Sequence, residues 1–337
     1  MKCSRFIFQK RFEGLPKKSD FKLVEEKLPQ MKDGDVLFEA LYLSVDPYFR
    51  FRCKSLPTGI TMIGSQVARV VESRHADYKV GDNVVGDFGW RTKTIVNPDT
   101  VKGPFDNISK PYVLPDFGFV PLSTALGVLG VNGNTAWFGF WEILNPKPHE
   151  TLVVTTAAGA VGSLVVQYGK MLGMNVIGFT GSDKKVKWLK DELKINHVFN
   201  YKTTDIEEAL NLAAPNGVDC YFDNVGGNMS SIIYKSMNKF GRVSVCGSIS
   251  SYNEDIEKPN LAPAVQETIL VKELKLEGFI VLRWLDRWFQ GIQRNLELIK
   301  EGKIVYKEAV FKGFDKMDET FIGLFKGDNF GKAVVEV

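Results

Sequence analysis

Hydrophobic and polar positions change rhythm once along the chain, near residue 123. Before that point the apolar positions fall in short runs, Arg5–Phe12, Val36–Val45, Met62–Glu72, Asn83–Val85 and Thr92–Val96, set between Gly, Pro and Asp turns. Such runs predict the strands of a small β-barrel. Beyond it, helical runs near Thr124–Val131 and Thr135–Leu144 lead into an alternation of strands and helices. The predicted strands are Thr151–Thr156, Asn175–Phe179, His197–Asn200, Val218–Phe222, Arg242–Cys246 and Leu276–Val281. These are mostly continuous apolar runs, the pattern of strands covered by helices on both faces, so an α/β, doubly wound parallel sheet is expected. After a helical stretch at Trp284–Glu301 the chain returns to strand-like Val305–Phe311, a short helix near Lys316–Lys326 and a last strand at Lys332–Val337. The C-terminus is therefore expected to rejoin the first domain, giving 1–122 with 305–337 as one domain and 123–304 as the other.

Composition narrows the class without changing this division. The 337 residues suit two domains. At 44% hydrophobic and 25% charged the chain is not collagen-like, disordered or a disulfide scaffold. Net charge is only +3, from 43 basic and 40 acidic residues with the signs interspersed, so no nucleic-acid footprint is expected. The cluster Lys184, Lys185, Lys187, Lys190 reads first as a solvated helix face. Cys3, Cys53, Cys220 and Cys246 are scattered without metal-ligand spacing and read as reduced thiols. Met1 to Asp20 carries basic residues but no apolar core of a secretory signal. Uncharged stretches at Phe117–Trp141 and Thr151–Gly169 reach spanning length. The first is broken by Pro121, Asn132, Gly133 and Asn134, and the second changes apolar period around two glycines. Buried core elements, no membrane contact and a cytoplasmic address are the expectations.

The loop after Thr151–Thr156 reads Ala157-Ala158-Gly159-Ala160-Val161-Gly162-Ser163 and opens an apolar helix through Leu172. Strand, glycine turn, helix and second strand form the context a dinucleotide fingerprint requires. Gly159 lets backbone approach a pyrophosphate, Gly162 allows close helix–strand packing, and the helix N-terminus offers unpaired N–H groups to an anion. Alanine stands where the first fingerprint glycine is usual, and a tight β–α connection without ligand is the alternative. About 20 residues beyond such a loop an acid usually accepts the ribose hydroxyls of NAD. Here Gly181-Ser182-Asp183-Lys184-Lys185 offers a hydroxyl and cations suited to a 2′-phosphate, which predicts NADP(H). Asp183 is expected to cap the next helix; for Lys185 the alternative is an ordinary surface lysine.

Absences remove other chemistries. The sequence holds no Tyr-x-x-x-Lys pair, no Gly-Lys-Ser/Thr, no His-Glu-x-x-His and no Gly-x-Ser-x-Gly. His75, His149 and His197 are the only histidines and read as structural or surface residues. A catalytic zinc needs three converging protein ligands, so no metal is expected.

Five motifs carry a resemblance. They are Val45-Asp46-Pro47-Tyr48, the glycine loop, Cys220-Tyr221-Phe222-Asp223-Asn224-Val225-Gly226-Gly227, Cys246-Gly247-Ser248-Ile249-Ser250-Ser251-Tyr252-Asn253 and Lys326-Gly327-Asp328-Asn329-Phe330-Gly331-Lys332. Over essentially the whole chain they resemble the medium-chain dehydrogenase/reductase superfamily, in its zinc-free alkenal/one oxidoreductase branch. Zinc-dependent relatives have Gly-His-Glu where this chain reads Gly64-Ser65-Gln66. The resemblance implies a Rossmann-type sheet plus a GroES-like β-barrel domain, a homodimer, and NADP(H) contacts at Gly159, Ala160, Val161, Gly162, Lys185, Tyr201, Asn224, Cys246, Gly247, Ser248, Ile249, Tyr252, the strand Phe279–Val281–Arg283, and Asn329. Val131-Asn132-Gly133 departs from the family's usual Met-Pro-Gly turn.

The implied activity is NADPH-dependent reduction of the double bond of α,β-unsaturated aldehydes and ketones, 15-oxo-prostaglandins among them, with oxidation of the leukotriene B4 12-hydroxyl as a reverse reaction. Tyr252 is implied as hydrogen-bond donor to the enolate oxygen, with Tyr48 lining the cleft. Phe49, Phe51, Trp284 and Trp288 are candidates for a wall that accepts a lipid substrate, and Arg50, Arg52 and Lys54 read as a solvated strand end. A zinc-free quinone reductase and a non-catalytic, crystallin-like NADPH-binding protein are the alternatives.

Overall fold

The computed structural model describes residues 1–105, 107–254 and 261–337. They divide into one unit formed by Met1–Leu126 with Glu308–Val337 and a second formed by Gly127–Lys307. The first unit opens with β1 (Lys2–Phe8), β2 (Phe21–Lys27), β3 (Val36–Val45), α1 (Tyr48–Arg52), β4 (Gln66–Ser73), β5 (Asn83–Gly86), β6 (Lys93–Val96) and β7 (Tyr112–Val113).

In the second unit α2 (Val131–Phe138) runs on into a π-helical stretch, Gly139–Leu144. Then come β8 (Thr151–Val154), α3 (Gly162–Met171), β9 (Asn175–Thr180), α4 (Asp183–Asp191), β10 (His197–Asn200), α5 (Ile206–Ala213), β11 (Val218–Asp223), α6 (Gly227–Lys235), β12 (Met237–Val245), α7 (Ile249–Tyr252), α8 (Gln266–Lys272), β13 (Lys275–Gly278) and α9 (Trp288–Lys300). The chain returns to the first unit as β14 (Glu308–Lys312), α10 (Met317–Lys326) and β15 (Lys332–Glu336).

The six strands of the second unit are all parallel, in the order β10-β9-β8-β11-β12-β13. Strand order reverses between β8 and β11, so the C-terminal ends of those two strands form a topological switch point, where open α/β sheets bind ligands. The expected doubly wound sheet is present. In the first unit β1 and β2 pair with each other, and a mostly antiparallel sheet runs β14-β15-β3-β4-β5-β7 with β6 also on β3. Its core is an aromatic cluster around Phe8, Phe12, Phe21, Phe49, Trp90 and Phe321.

Several expectations are corrected. β2 was not foreseen: of its seven residues only Phe21 is buried, and its charged remainder hides the alternation. Phe279 to Arg283 is not a strand. The last β12–β13 pair is Val245 with Gly278; beyond it the chain has no partner strand among the described residues and winds into a 3-10 turn at Val281–Arg287. Phe49, Trp284 and Trp288 are core residues rather than an open wall, at most 8% exposed. Trp284 stacks on Phe138 at 4.9 Å between ring centroids. Arg50 is buried, not solvated, and donates to the Phe12 and Gly14 carbonyls.

Candidate active site

The glycine loop leaves β8 through Thr155 and Thr156, and Thr156 is in the left-handed region at φ +53°. A β-branched residue rarely adopts that conformation, so strain is concentrated where the chain turns from strand to loop. A Cβ on Gly162 would sit 2.4 Å from the Thr156 carbonyl oxygen, so only glycine lets the start of α3 pack this close to the end of β8. The Ala157 N–H bonds the Phe179 carbonyl, Gly159 bonds Thr156 and Ser163 bonds Gly159. The N–H groups of Ala160, Val161 and Gly162 hand no hydrogen bond to the described backbone. Unspent donors at the start of a ten-residue helix are what an anion such as a pyrophosphate takes up.

At the end of β9, Ser182 rather than Asp183 caps α4: its hydroxyl accepts from the Lys185 N–H. Asp183 instead accepts from the Asn200 side-chain amide at 2.8 Å. The exposed Tyr201 ring lies against Gly181, whose Cβ would come within 3.1 Å of the phenol oxygen. The Tyr201 phenol and half-buried Lys185 thus share the Gly181–Lys185 turn, a hydroxyl and a cation on one cluster.

The switch point is built on hydrogen bonds. The Asn224 side-chain amide donates to the Thr155 carbonyl at 2.7 Å and its N–H to the Thr155 hydroxyl at 3.0 Å, tying the end of β11 to the end of β8. The N–H groups of Cys246 and Gly247 donate to the Asp223 carbonyl at 2.8 and 3.1 Å. Ile249 and Ser250 donate to the Asn224 and Val225 carbonyls, which seats α7 on the same turn. Tyr252 is half-buried at the end of α7, and its phenol accepts from the Ser248 N–H at 3.4 Å. Gly247 leaves room for it, since a Cβ there would stand 3.2 Å from the phenol oxygen. Burial pushes the Tyr252 phenol above its ordinary pKa more than the Ser248 contact lowers it, so it stays protonated and able to donate at neutral pH. Burial, with Asp223 adding to it, pushes the Cys246 thiol up to about 12.

The second unit thus brings together Gly159 to Gly162, Asn224 and Cys246 to Tyr252 along the C-terminal edge of its sheet, with Lys185 and Tyr201 at the ends of β9 and β10. Phe279 is half-buried and packs edge-on against Trp284 at 5.6 Å. Val281 is buried, and exposed Arg283 pairs with Glu277 at 2.6 Å.

Tyr48 and Asn329 belong to the first unit. Tyr48 opens α1, stacks on Phe105 at 6.2 Å, and is held well above the ordinary phenol pKa by burial and then by Asp46 and Asp87. The Asn329 amide donates to the Gly331 carbonyl. The motifs that carry these two residues are joined by a buried ion pair that nothing local in the sequence announces: Lys332 reaches Asp46 at 2.8 Å, the side chains 4% and 8% exposed, and also donates to the Val45 carbonyl. Ser65 donates to Asp87 at 2.5 Å, and Gln66 to the Gly89 and Arg91 carbonyls. Among the described residues no three His, Cys, Asp or Glu side chains group as a metal site.

Sequence reasoning quoted Asp223, Thr155 and Gly181 within its motifs and elements but gave none of them a role of its own. An acid ending an apolar strand directly before Asn-Val-Gly-Gly was the available signal for the first; the other two show their roles only through what they touch.

Two family descriptions match: N-terminal domain of oxidoreductase over residues 4–103, and zinc-binding dehydrogenase over residues 160–299. The chain is 47% identical to prostaglandin reductase 1 of Bos taurus over 334 residues, 98% of either protein. It is 37% identical to the 2-alkenal reductase (NADP(+)-dependent) of Nicotiana tabacum, over 98% of this chain and 96% of that protein. Among solved structures it is similar to CurA in complex with NADPH from Vibrio vulnificus, with a TM-score of 0.89 and 33% identity over 99% of each chain.

Proposed function

The chain belongs to the zinc-free branch of the medium-chain dehydrogenase/reductase superfamily, and from that premise we propose that it reduces the carbon–carbon double bond of α,β-unsaturated aldehydes and ketones with NADPH. The observation that carries the reading is the switch point of the second unit. There a glycine-gated helix start with unspent N–H donors stands beside Asn224 and the Cys246–Tyr252 turn.

The residues fit the cofactor on their own chemistry. Ala160 to Gly162 suit the pyrophosphate, Lys185 and the Tyr201 hydroxyl suit the 2′-phosphate, and Asn224 suits an amide or ribose partner. When bound, NADPH supplies a hydride to the β-carbon of the conjugated alkene. Hydride addition leaves negative charge on the substrate's carbonyl oxygen, which a donor fixed there beforehand stabilises until a proton from solvent or from that donor reaches the α-carbon. Tyr252 is the donor we assign. Its phenol is protonated at neutral pH and seated by the Ser248 N–H on a turn bonded to Asn224 and Val225, so little reorganisation is needed.

We further infer that 15-oxo-prostaglandins are among the substrates, supported by 47% identity to a protein named prostaglandin reductase 1. A cytoplasmic homodimer is the accompanying proposal, supported by four free cysteines and by the open edge of β13 in the parallel sheet. None of the described helices is long and apolar enough to cross a membrane.

The test is NADPH consumption with an enone, an alkenal and a quinone as acceptors at equal concentration. Faster turnover of enone and alkenal is expected; a clear preference for the quinone would overturn the substrate assignment.

A further inference from the structure

The Asp223 carboxylate is 2% exposed and takes four hydrogen bonds. Oδ1 accepts from the Tyr221 phenol and from the Val225 and Gly226 N–H groups, each at 2.9 Å, and Oδ2 accepts from the Ser230 hydroxyl at 2.7 Å. All four groups can donate to the carboxylate, two of them backbone N–H groups on one oxygen. Yet among the described residues no cation pairs with it. The ion pairs of the second unit among the described residues all lie elsewhere, the most enclosed being Arg242 with Glu150. The charge is felt by its neighbours: beyond the effect of burial, it raises the pKa values of Tyr221, Tyr234 and Cys246.

A buried anion compensated by dipoles alone is costly, and a fold that keeps one leaves a negative potential around it. Asp223 is the last residue of β11, at the switch point, and its neighbour Asn224 is bonded to Thr155 at the root of the glycine loop. The oxidised and reduced dinucleotides have the same phosphates and differ by one positive charge on the nicotinamide ring. Residues that face the phosphates would not sense that difference; a fixed negative charge near the ring would.

We propose that Asp223 is the counter-charge that sets this protein's preference for the oxidised over the reduced dinucleotide, an inference that rests on the NADP(H) reading above. Because its four donors hold the carboxylate in place before anything binds, the field needs no rearrangement when positive charge appears. Tighter holding of the oxidised form favours hydride donation, which is the direction of alkene reduction. Asp223 acts here as a tuning and positioning residue and need not touch substrate.

Separate calorimetric titrations of the full chain with NADPH and with NADP+, at one ionic strength, test the proposal. Asp223→Asn is nearly isosteric: its carbonyl oxygen keeps the three Oδ1 donors, and its amide can donate to the Ser230 hydroxyl oxygen. The expected result is a loss of NADP+ affinity relative to NADPH on the order of tenfold, as for one charge acting through protein rather than water. Should that variant fail to fold, Tyr221→Phe removes one dipole while leaving the charge, and the affinity ratio then moves in the opposite direction. Equal changes in both affinities, in either variant, would mean that Asp223 only braces the turn and would overturn the proposal. Wild-type protein that bound neither dinucleotide would overturn the cofactor reading along with it.

Discussion

Cys246 stands in the segment assigned to the cofactor, in a protein whose proposed substrates are electrophiles that alkylate thiolates. Its environment protects it. With the thiol pushed up to about 12 by burial and by Asp223, the reactive thiolate is scarce at neutral pH. Incubation with iodoacetamide at pH 7, followed by mass spectrometry of the peptides, should leave Cys246 unlabelled in the folded protein and label it after denaturation. Rapid labelling of the folded protein would contradict the assigned protonation state. The same burial keeps Tyr252 protonated, so one physical cause silences a nucleophile and preserves a donor a few residues apart.

At the scale of elements, Arg242 on β12 fastens the approach to β8. It donates to the Leu144 and Asn145 carbonyls at 3.0 and 3.2 Å, and to both Glu150 oxygens at 3.0 and 2.6 Å. Burial alone would raise the Glu150 carboxyl, but the Arg242 bonds and the Lys147 N–H outweigh it and hold its pKa below the ordinary value. A carboxyl lowered in the folded state stabilises above its unfolded pKa and loses that contribution as the pH falls through the folded one. Glu150→Gln should therefore cost about 1–3 kcal/mol at pH 7 in urea unfolding. The deficit should shrink as the pH drops below about 4.3. A deficit that stayed constant down to acid pH would assign it to packing instead.

This scale also marks how far the sequence could be read. Continuous apolar runs bracketed by turns announced the six parallel strands, most plainly β8 and β9, where burial on both faces leaves that imprint on neighbouring residues. The glycine loop was legible for the same reason: its constraint is local. β2 was not, since a strand with one buried residue carries no alternation. The end of β13 was set by where β12 stops, and whether Phe49, Trp284 and Trp288 face a cleft or a core depends on partners distant in the chain. Nothing near Asp46 announces Lys332, although that pair binds two of the recognised motifs together. Likewise Asp223 reads as one acid among 40 until its four donors, and the absence of a cation among the described residues, come into view.

For the whole molecule, the proposal is a zinc-free reductase that holds NADPH on its second unit and stabilises an enolate with Tyr252. The measurement that bears on it most directly is the single-turnover rate of NADPH oxidation by a conjugated enone, in wild type and Tyr252→Phe, with NADPH affinity measured in parallel. The account predicts rapid oxidation by wild type and a rate lower by about 10²–10³ in the variant, the usual cost of losing one oxyanion donor, at nearly unchanged NADPH affinity. An equal rate in the two proteins, or no oxidation by wild type, would contradict it.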